Sequence, residues 1–292
     1  MARAGFYTTS HGRHRPCCGG RCLVAHVDSE NNAVGASVSL IVVPTCAFAA
    51  LVPLRDYFLL VALAFALLTL SLGYLVLALV TEPGILPPAP PDALANGRGR
   101  GRVTHVIVHG EKVDLREKRA KMCRQTENCV EDFDHYCPWV GNAVGRRNYR
   151  YFVGFLVSVT GLCVVVGSAS ALRVASLNVA GLKNDDDSYD EEPSWKAIAL
   201  AVLVVYTVVV FFSVGSLAVY HFRLVGVNET TNENIRGVFA GEDNPHDRGC
   251  AANVREFLRR PKPESLVLQL DRDDRLTRVE DDDDDPGGIE LV

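Results

Sequence analysis

The sequence offers no disulfide framework. Its nine cysteines, an odd number, stand at irregular positions: Cys17, Cys18, Cys22, Cys46, Cys123, Cys129, Cys137, Cys163 and Cys250. A small secreted scaffold would show an even, patterned set instead. There is no nucleic-acid footprint either. The one region crowded with Lys and Arg runs directly into apolar segments, and the formal net charge is -5. Residues 1–35 do not read as a cleaved signal peptide, because they contain no apolar run. Above all, four long stretches lack charge altogether: 36–54, 57–80, 151–172 and 197–220. About 20 apolar residues suffice for a helix to cross a bilayer core. One such run could be a buried core helix, but four in one chain predict a membrane protein. The runs also lack internal acids and bases, the marks of an ion or substrate path, which argues against a channel or transporter.

What is present divides the chain. The predicted fold is an all-α integral membrane protein. Four transmembrane helices carry a small cytosolic cysteine-containing domain between the second and third. Residues 1–35 form an N-terminal segment and 36–80 a tight transmembrane hairpin turning at Arg55 and Asp56. Residues 81–150 form the small domain. Residues 151–220 hold helices three and four around an acidic loop at 174–196. Residues 221–260 follow the last span, and 261–292 read as a polar, disordered tail ending in the run 281–285. Within the small domain, 82–102 reads as a Pro/Gly/Ala linker and 105–113 as a short strand or hairpin. Orientation follows from Lys and Arg. The 81–150 loop is rich in both, whereas the loop after the third span has Lys183 among Asp185, Asp186, Asp187, Asp190, Glu191 and Glu192. The first loop and both termini are therefore expected in the cytosol, where thiols stay reduced.

The chemistry concentrates in 119–152. Asp134, His135 and Cys137 lie within four residues. A thiolate is the nucleophilic form of cysteine, a histidine can take its proton, and an aspartate can orient that histidine. On spacing alone, a fragment of a metal site or a plain surface loop remains open. Position adds weight, because the segment ends where the third span begins and so holds Cys137 near the membrane face.

The run Asp134-His135-Tyr136-Cys137-Pro138-Trp139-Val140, followed by a GRRNYRYF segment, resembles the cysteine-rich domain of DHHC-type protein S-acyltransferases, as a tyrosine variant of the signature. Thr81-Glu82-Pro83-Gly84 resembles the family's box after the second span. Thr230-Thr231-Asn232-Glu233 resembles the one after the fourth. Asn244-Pro245-His246-Asp247-Arg248-Gly249, with Asn253 beyond, resembles the C-terminal motif. The likeness covers about residues 36–258. It implies a palmitoyltransferase that takes an acyl group from acyl-CoA, such as palmitoyl-CoA, onto Cys137. The group then passes to cysteines of cytosolic or membrane-associated proteins, in an endomembrane (Golgi or ER) or the plasma membrane. His135 would be the base and Asp134 its orienter. Thr230 or Thr231, in the box completed by Glu233, would support Asp134. Asn253 would anchor the tail, and Trp139 would sit at the mouth of an acyl cavity. Read without the family, the threonines are a helix cap and Asn253 an ordinary surface residue. Arg146, Arg147 and Arg150 read as contacts for CoA phosphates or as positive-inside anchors.

The departures are as informative. The family's cysteine-rich domain carries structural zinc on Cys and His. Aligned back from Cys137 without gaps, only Cys123 and Cys129 keep ligand positions. Met122, Thr126, Tyr136 and Ala143 occupy the others, and 113–119 lacks the upstream Cys pair. A structural zinc wants four ligands, so none is expected here. The segment 113–122 is expected to form a helix and the domain to fold by ordinary packing. The alternative is a non-catalytic membrane scaffold, a pseudoenzyme of the same fold. The topology is testable: a glycan acceptor inserted beside Asp186 should be glycosylated in the secretory pathway. One inserted in the 81–150 loop should not.

Overall fold

A computed structural model describes residues 13–17, 22–25, 31–86, 105–108, 111–114, 119–183 and 194–267. Four long helices dominate: α1 (Asn31–Leu51), α2 (Leu54–Val80), α3 (Tyr149–Lys183) and α4 (Ser194–Val227). Each is long and apolar enough to cross a membrane. The helices α2 and α4 flank α3, and α1 lies along the α2 and α4 side. The inner faces bury Phe48, Ala64, Leu75, Phe152, Leu162 and Leu200. The outer faces are apolar too: Leu59 is 79% exposed and Val219 68%. Helices apolar all round fit lipid on one side and protein on the other.

All four predicted spans appear, with shifted ends. Helix α1 begins at Asn31, carries Pro44 inside it and stops at Leu51, and Pro53 then serves as the N-cap of α2. Helix α3 runs to Lys183, so the acidic loop expected from residue 174 is helical in its first part. Residues 184–193 lie outside the described residues. Helix α4 continues seven residues past the predicted end at 220.

The rest is built from four antiparallel two-stranded hairpins, counted among the described residues. They are β1 (His14–Cys17) with β2 (Cys22–Ala25), β3 (His105–Val108) with β4 (Glu111–Asp114), β5 (Lys121–Cys123) with β6 (Asn128–Val130), and β7 (His135–Cys137) with β8 (Asn142–Val144). The β3–β4 pair answers the expectation of a short hairpin. The helix expected over 113–122 does not form at its described ends, and residues 115–118 lie outside the described residues. Its ends belong to β4 and β5, and Arg119 turns the chain with a φ of 47°. Good helix formers are overridden here because strand pairing and the tertiary bonds of Arg119 decide the backbone. Two short helices follow α4: α5 (Thr231–Arg236) and α6 (Cys250–Arg259), with α6 packed on α4.

The 82–102 linker is also not loose at its start. Glu82 is 2% exposed, and Ile85 bridges to Val130. Glu82 accepts from the Gly84 and Ile85 amides at 2.7 and 2.8 Å and pairs with Arg147. Residues 87–104 lie outside the described residues. The tail does not loosen at residue 261 either, since Arg147 donates to the Pro263 carbonyl and Val267 packs on Ile85. The acidic run at 281–285 lies outside the described residues.

Gly145 sits where these layers meet. A Cβ there would stand 2.5 Å from Val130 Cγ1 and 2.7 Å from the Pro83 carbonyl. Gly145→Ala should therefore destabilise the protein by about 1–3 kcal/mol through overpacking. Thermal unfolding of the detergent-solubilised variant beside the parent checks this.

Candidate active site

Cys137 ends β7, buried at 8% exposure, and its carbonyl accepts from the Val140 and Gly141 amides that close the turn to β8. Register places Asn142 directly across from it. The turn is fixed to the helices from two sides. Ser37 of α1 donates to the Trp139 carbonyl at 2.9 Å. The Asn142 side-chain amide donates to the Leu79 and Thr81 carbonyls at 3.0 and 3.1 Å. Asn148 donates to the Ala143 carbonyl at 2.8 Å and the Ala78 carbonyl at 3.2 Å. The last carbonyls of any helix lack intrahelical partners. Here the end of α2 receives its partners from the hairpin that carries Cys137.

Asp134 is 3% exposed, and each of its carboxylate oxygens is used. One accepts from His135 Nδ1 at 2.6 Å and the other from the Thr231 backbone amide at 2.8 Å. Burial alone would raise the Asp134 pKa, but His135 and the Thr231 amide outweigh it and hold the carboxyl below its ordinary range. For His135, burial works to lower the pKa. The hydrogen bond to Asp134 and the interaction with Cys137 overcome that and raise it to about 9. These partners favour the carboxylate and imidazolium forms of the pair, beside the Cys137 sulfur.

Both threonines act, by different routes. The Thr230 side chain caps α5 and accepts from the Glu233 amide, while the Glu233 carboxylate accepts from the Thr230 amide at 2.9 Å, a complete capping box. Thr231 reaches Asp134 through its main chain. Glu233 also pairs with the Arg119 guanidinium, and both side chains are 9% exposed. Burial would raise the Glu233 pKa, but Arg119 more than offsets it and the group is held low. Asn253 of α6 donates to the Gly226 carbonyl at 2.8 Å and to Asp247 at 2.6 Å, tying the C-terminal segment to the end of α4. Trp139 is exposed at the rim of an apolar cavity of about 420 Å³ that starts at Cys137 and runs between the helices. Phe155, Val159 and Val166 line its depth, and the Tyr206 hydroxyl crosses from α4 to the Leu40 carbonyl of α1 at 2.6 Å.

Sequence reasoning missed three contributors. His221 is 1% exposed, bonds the Tyr149 hydroxyl at 3.0 Å and lies 6.0 Å ring to ring from His135. The predicted fourth span ended one residue before it. Arg119 looked like one more loop cation. Asn142 was not singled out at all, though its neighbour Gly141, with a φ of 71°, marks a tight turn. The arginines considered for phosphate contact are engaged internally. Arg146 pairs with Glu131, Arg147 with Glu82, and Arg150 donates to the Arg260 carbonyl.

The residues at the family's zinc positions do not fit a zinc ion. Met122 faces Cys129 and Tyr136 faces Ala143 across the two hairpins. Cys123 packs with Val130, Phe133, Ala143 and Tyr136. Burial pushes the Cys129 thiol up to about 11. Among the described residues no three Cys, His, Asp or Glu side chains converge.

Fold and site together define a multi-pass membrane protein with buried Asp134 and Cys137 and part-buried His135 at the mouth of an apolar cavity. The DHHC palmitoyltransferase family model matches residues 111–238. Probable protein S-acyltransferase 6 of Arabidopsis thaliana is 32% identical over 290 residues, covering 89% of this chain and 68% of that protein. Probable protein S-acyltransferase 3 of the same plant is 28% identical over 316 residues, covering 95% and 73%. Palmitoyltransferase ZDHHC9 of Bos taurus is 34% identical over 227 residues, covering 68% and 60%. The chain belongs to the DHHC palmitoyltransferase family and is an acyltransferase by class.

The capping box yields a graded prediction. Thr230→Ala should cost about 1 kcal/mol, the usual loss for an N-cap. Glu233→Ala should cost more, on the order of 3 kcal/mol, because it strands Arg119 without its buried partner. Thermal unfolding of both variants gives the order.

Proposed function

We propose that the protein transfers a fatty acyl group from acyl-CoA to cysteines of cytosolic or membrane-associated proteins, through a thioester on Cys137. The observation that carries this reading is the placement of a buried nucleophile, with its Asp–His pair, at the open end of an apolar cavity between membrane-spanning helices. In the first step the Cys137 sulfur attacks the thioester carbonyl carbon. The carbon–sulfur bond to CoA breaks, and the His135 imidazolium, which already holds the proton given up by the Cys137 thiol, delivers it to the departing CoA sulfur. In the second step a substrate cysteine thiolate attacks the same carbonyl and Cys137 leaves as thiolate. One thioester replaces another in each step, so the protein contributes positioning and thiolate supply rather than driving force. The cavity holds the acyl chain, and Trp139 stands at its rim. Thr231 and the capping box hold Asp134. Asn253 anchors the segment that follows the last span.

The hairpin layer and both termini face the cytosol in this reading, supported by the Lys and Arg excess of 81–150. The scaffold alternative loses ground, because a scaffold has no need of an Asp134–His135 pair bonded beside Cys137 at the mouth of an apolar cavity.

Incubation of the purified protein with labelled palmitoyl-CoA should give hydroxylamine-sensitive label on the wild type and none on Cys137→Ala. No label on the wild type at any pH would leave the scaffold reading standing. The pH dependence follows from His135. Its pKa is raised to about 9, so the imidazolium is present throughout neutral pH and is lost as pH rises through that value. The same sign applies to stability. The contribution of the His135–Asp134 pair is complete below the ordinary histidine pKa of about 6.5 and fades as pH passes the raised value. His135→Ala should therefore slow self-acylation far more at pH 7 than at pH 9, where an unassisted cysteine, with a pKa of about 8.5, ionises without help. Equal losses at both pH values would remove His135 from thiolate supply.

A further inference from the structure

The hairpins β5–β6 and β7–β8 have three-residue strands. Two-stranded units of that size do not hold their geometry alone. The positions where the resemblance expects zinc ligands carry Met122, Thr126, Tyr136 and Ala143. A side chain from elsewhere in the chain makes the join. His14, in the N-terminal hairpin, is 4% exposed. Its Nδ1 lies 2.9 Å from Asn128 Nδ2 and its Nε2 lies 3.1 Å from Asn142 Oδ1. The amide NH2 of Asn128 can only donate, so Nδ1 accepts. Nε2 then carries the proton and donates to Asn142. These roles fit a neutral imidazole bridging one residue of each hairpin.

The bridge is extended at both ends. Asn128 Oδ1 accepts from the Thr126 hydroxyl at 2.8 Å, and the Thr126 carbonyl accepts from the Arg13 amide at 2.8 Å. At the rim Arg13 pairs with Glu127. On the other side Asn142 donates to the end of α2 and stands across the strand pair from Cys137. The path from His14 to the nucleophile's hairpin is therefore one hydrogen bond and one strand pairing.

We infer that His14 is a positioning residue that takes over the joining role of a structural metal, clamping the two hairpins through Asn128 and Asn142 and thereby setting the place of Cys137. This rests on the proposed acyl transfer through Cys137. It makes the N-terminal hairpin part of the catalytic module, and it makes the module independent of zinc.

The test uses the full-length protein in nanodiscs. Elemental analysis should find well under one zinc per chain, and a strong chelator should leave Cys137 self-acylation unchanged. His14→Ala should slow self-acylation roughly tenfold or more, since it strands two buried amides. It should also lower the apparent unfolding temperature by about 5 °C. His14→Gln, whose amide can accept from Asn128 and donate to Asn142, should recover most of both. Alkylation supplies a readout that general loosening would not give: His14→Ala should raise the rate at Cys137 while exposed Cys250 reacts as before. One or more zinc ions per chain, with acylation lost on chelation, would overturn the inference. So would a His14→Ala variant indistinguishable from wild type, or a His14→Gln variant as defective as His14→Ala. If the wild type is never acylated, the acyl-transfer reading fails by itself, while zinc content and unfolding still decide the clamp.

Discussion

Two hydrogen bonds to one buried carboxylate organise the hairpin layer. Asp134 gives one oxygen to the His135 ring and the other to the Thr231 amide. An ion removed from water carries a penalty of several kcal/mol unless partners replace the lost solvation. Its partners here come from different parts of the chain, so the whole layer must assemble before the carboxylate is satisfied. The Thr231 amide is free because it belongs to the first turn of α5, where amides have no intrahelical acceptor. Thr230 caps the Glu233 amide and leaves that of Thr231 for Asp134. The pairing of Glu233 with Arg119 then fixes α5 to the loop that follows β4. A change at Arg119 would reach the nucleophile through these contacts without touching it.

Depth is set by a second group of bonds. Helix α2 ends at Val80 with open carbonyls, and near a bilayer such groups are expensive to leave unmatched. Asn142 and Asn148 meet them from the hairpin side. Satisfying the helix end and seating Cys137 at the cavity mouth are therefore the same event. Gly145 permits it, since any larger residue would separate β6 and the start of the linker from this contact.

The spans and the Asp134–His135–Cys137 set were legible in the sequence because each is written locally, in uncharged runs and in adjacent residues. Helix ends were not, since hydropathy says where lipid begins and not where hydrogen bonding stops; that is how His221 escaped. The helix expected over 113–122 followed from propensity and gives way at 119–122, where Arg119 is recruited by Glu233, 114 residues away. Asn128 and Asn142 could not be read as a pair, because the residue that pairs them, His14, lies more than a hundred positions earlier. Absent metal ligands were visible in the sequence; what stands in their place was not.

The two histidines of the layer show how neighbours choose a charge state. Both are largely withdrawn from water. His135 faces a carboxylate and a thiol, and their influence overcomes burial to raise its pKa to about 9. His14 is bonded by two amides, one donating and one accepting, a pair that matches the neutral ring. The first arrangement keeps a proton beside the nucleophile. The second keeps charge out of the joint between the hairpins. A charged ring at that joint would turn Nδ1 into a donor facing the Asn128 NH2 and set two donors against each other. In the proposed acyl transfer, the chemistry of Cys137 therefore rests on two imidazoles with opposite hydrogen-bonding roles, one beside a carboxylate and one between two amides.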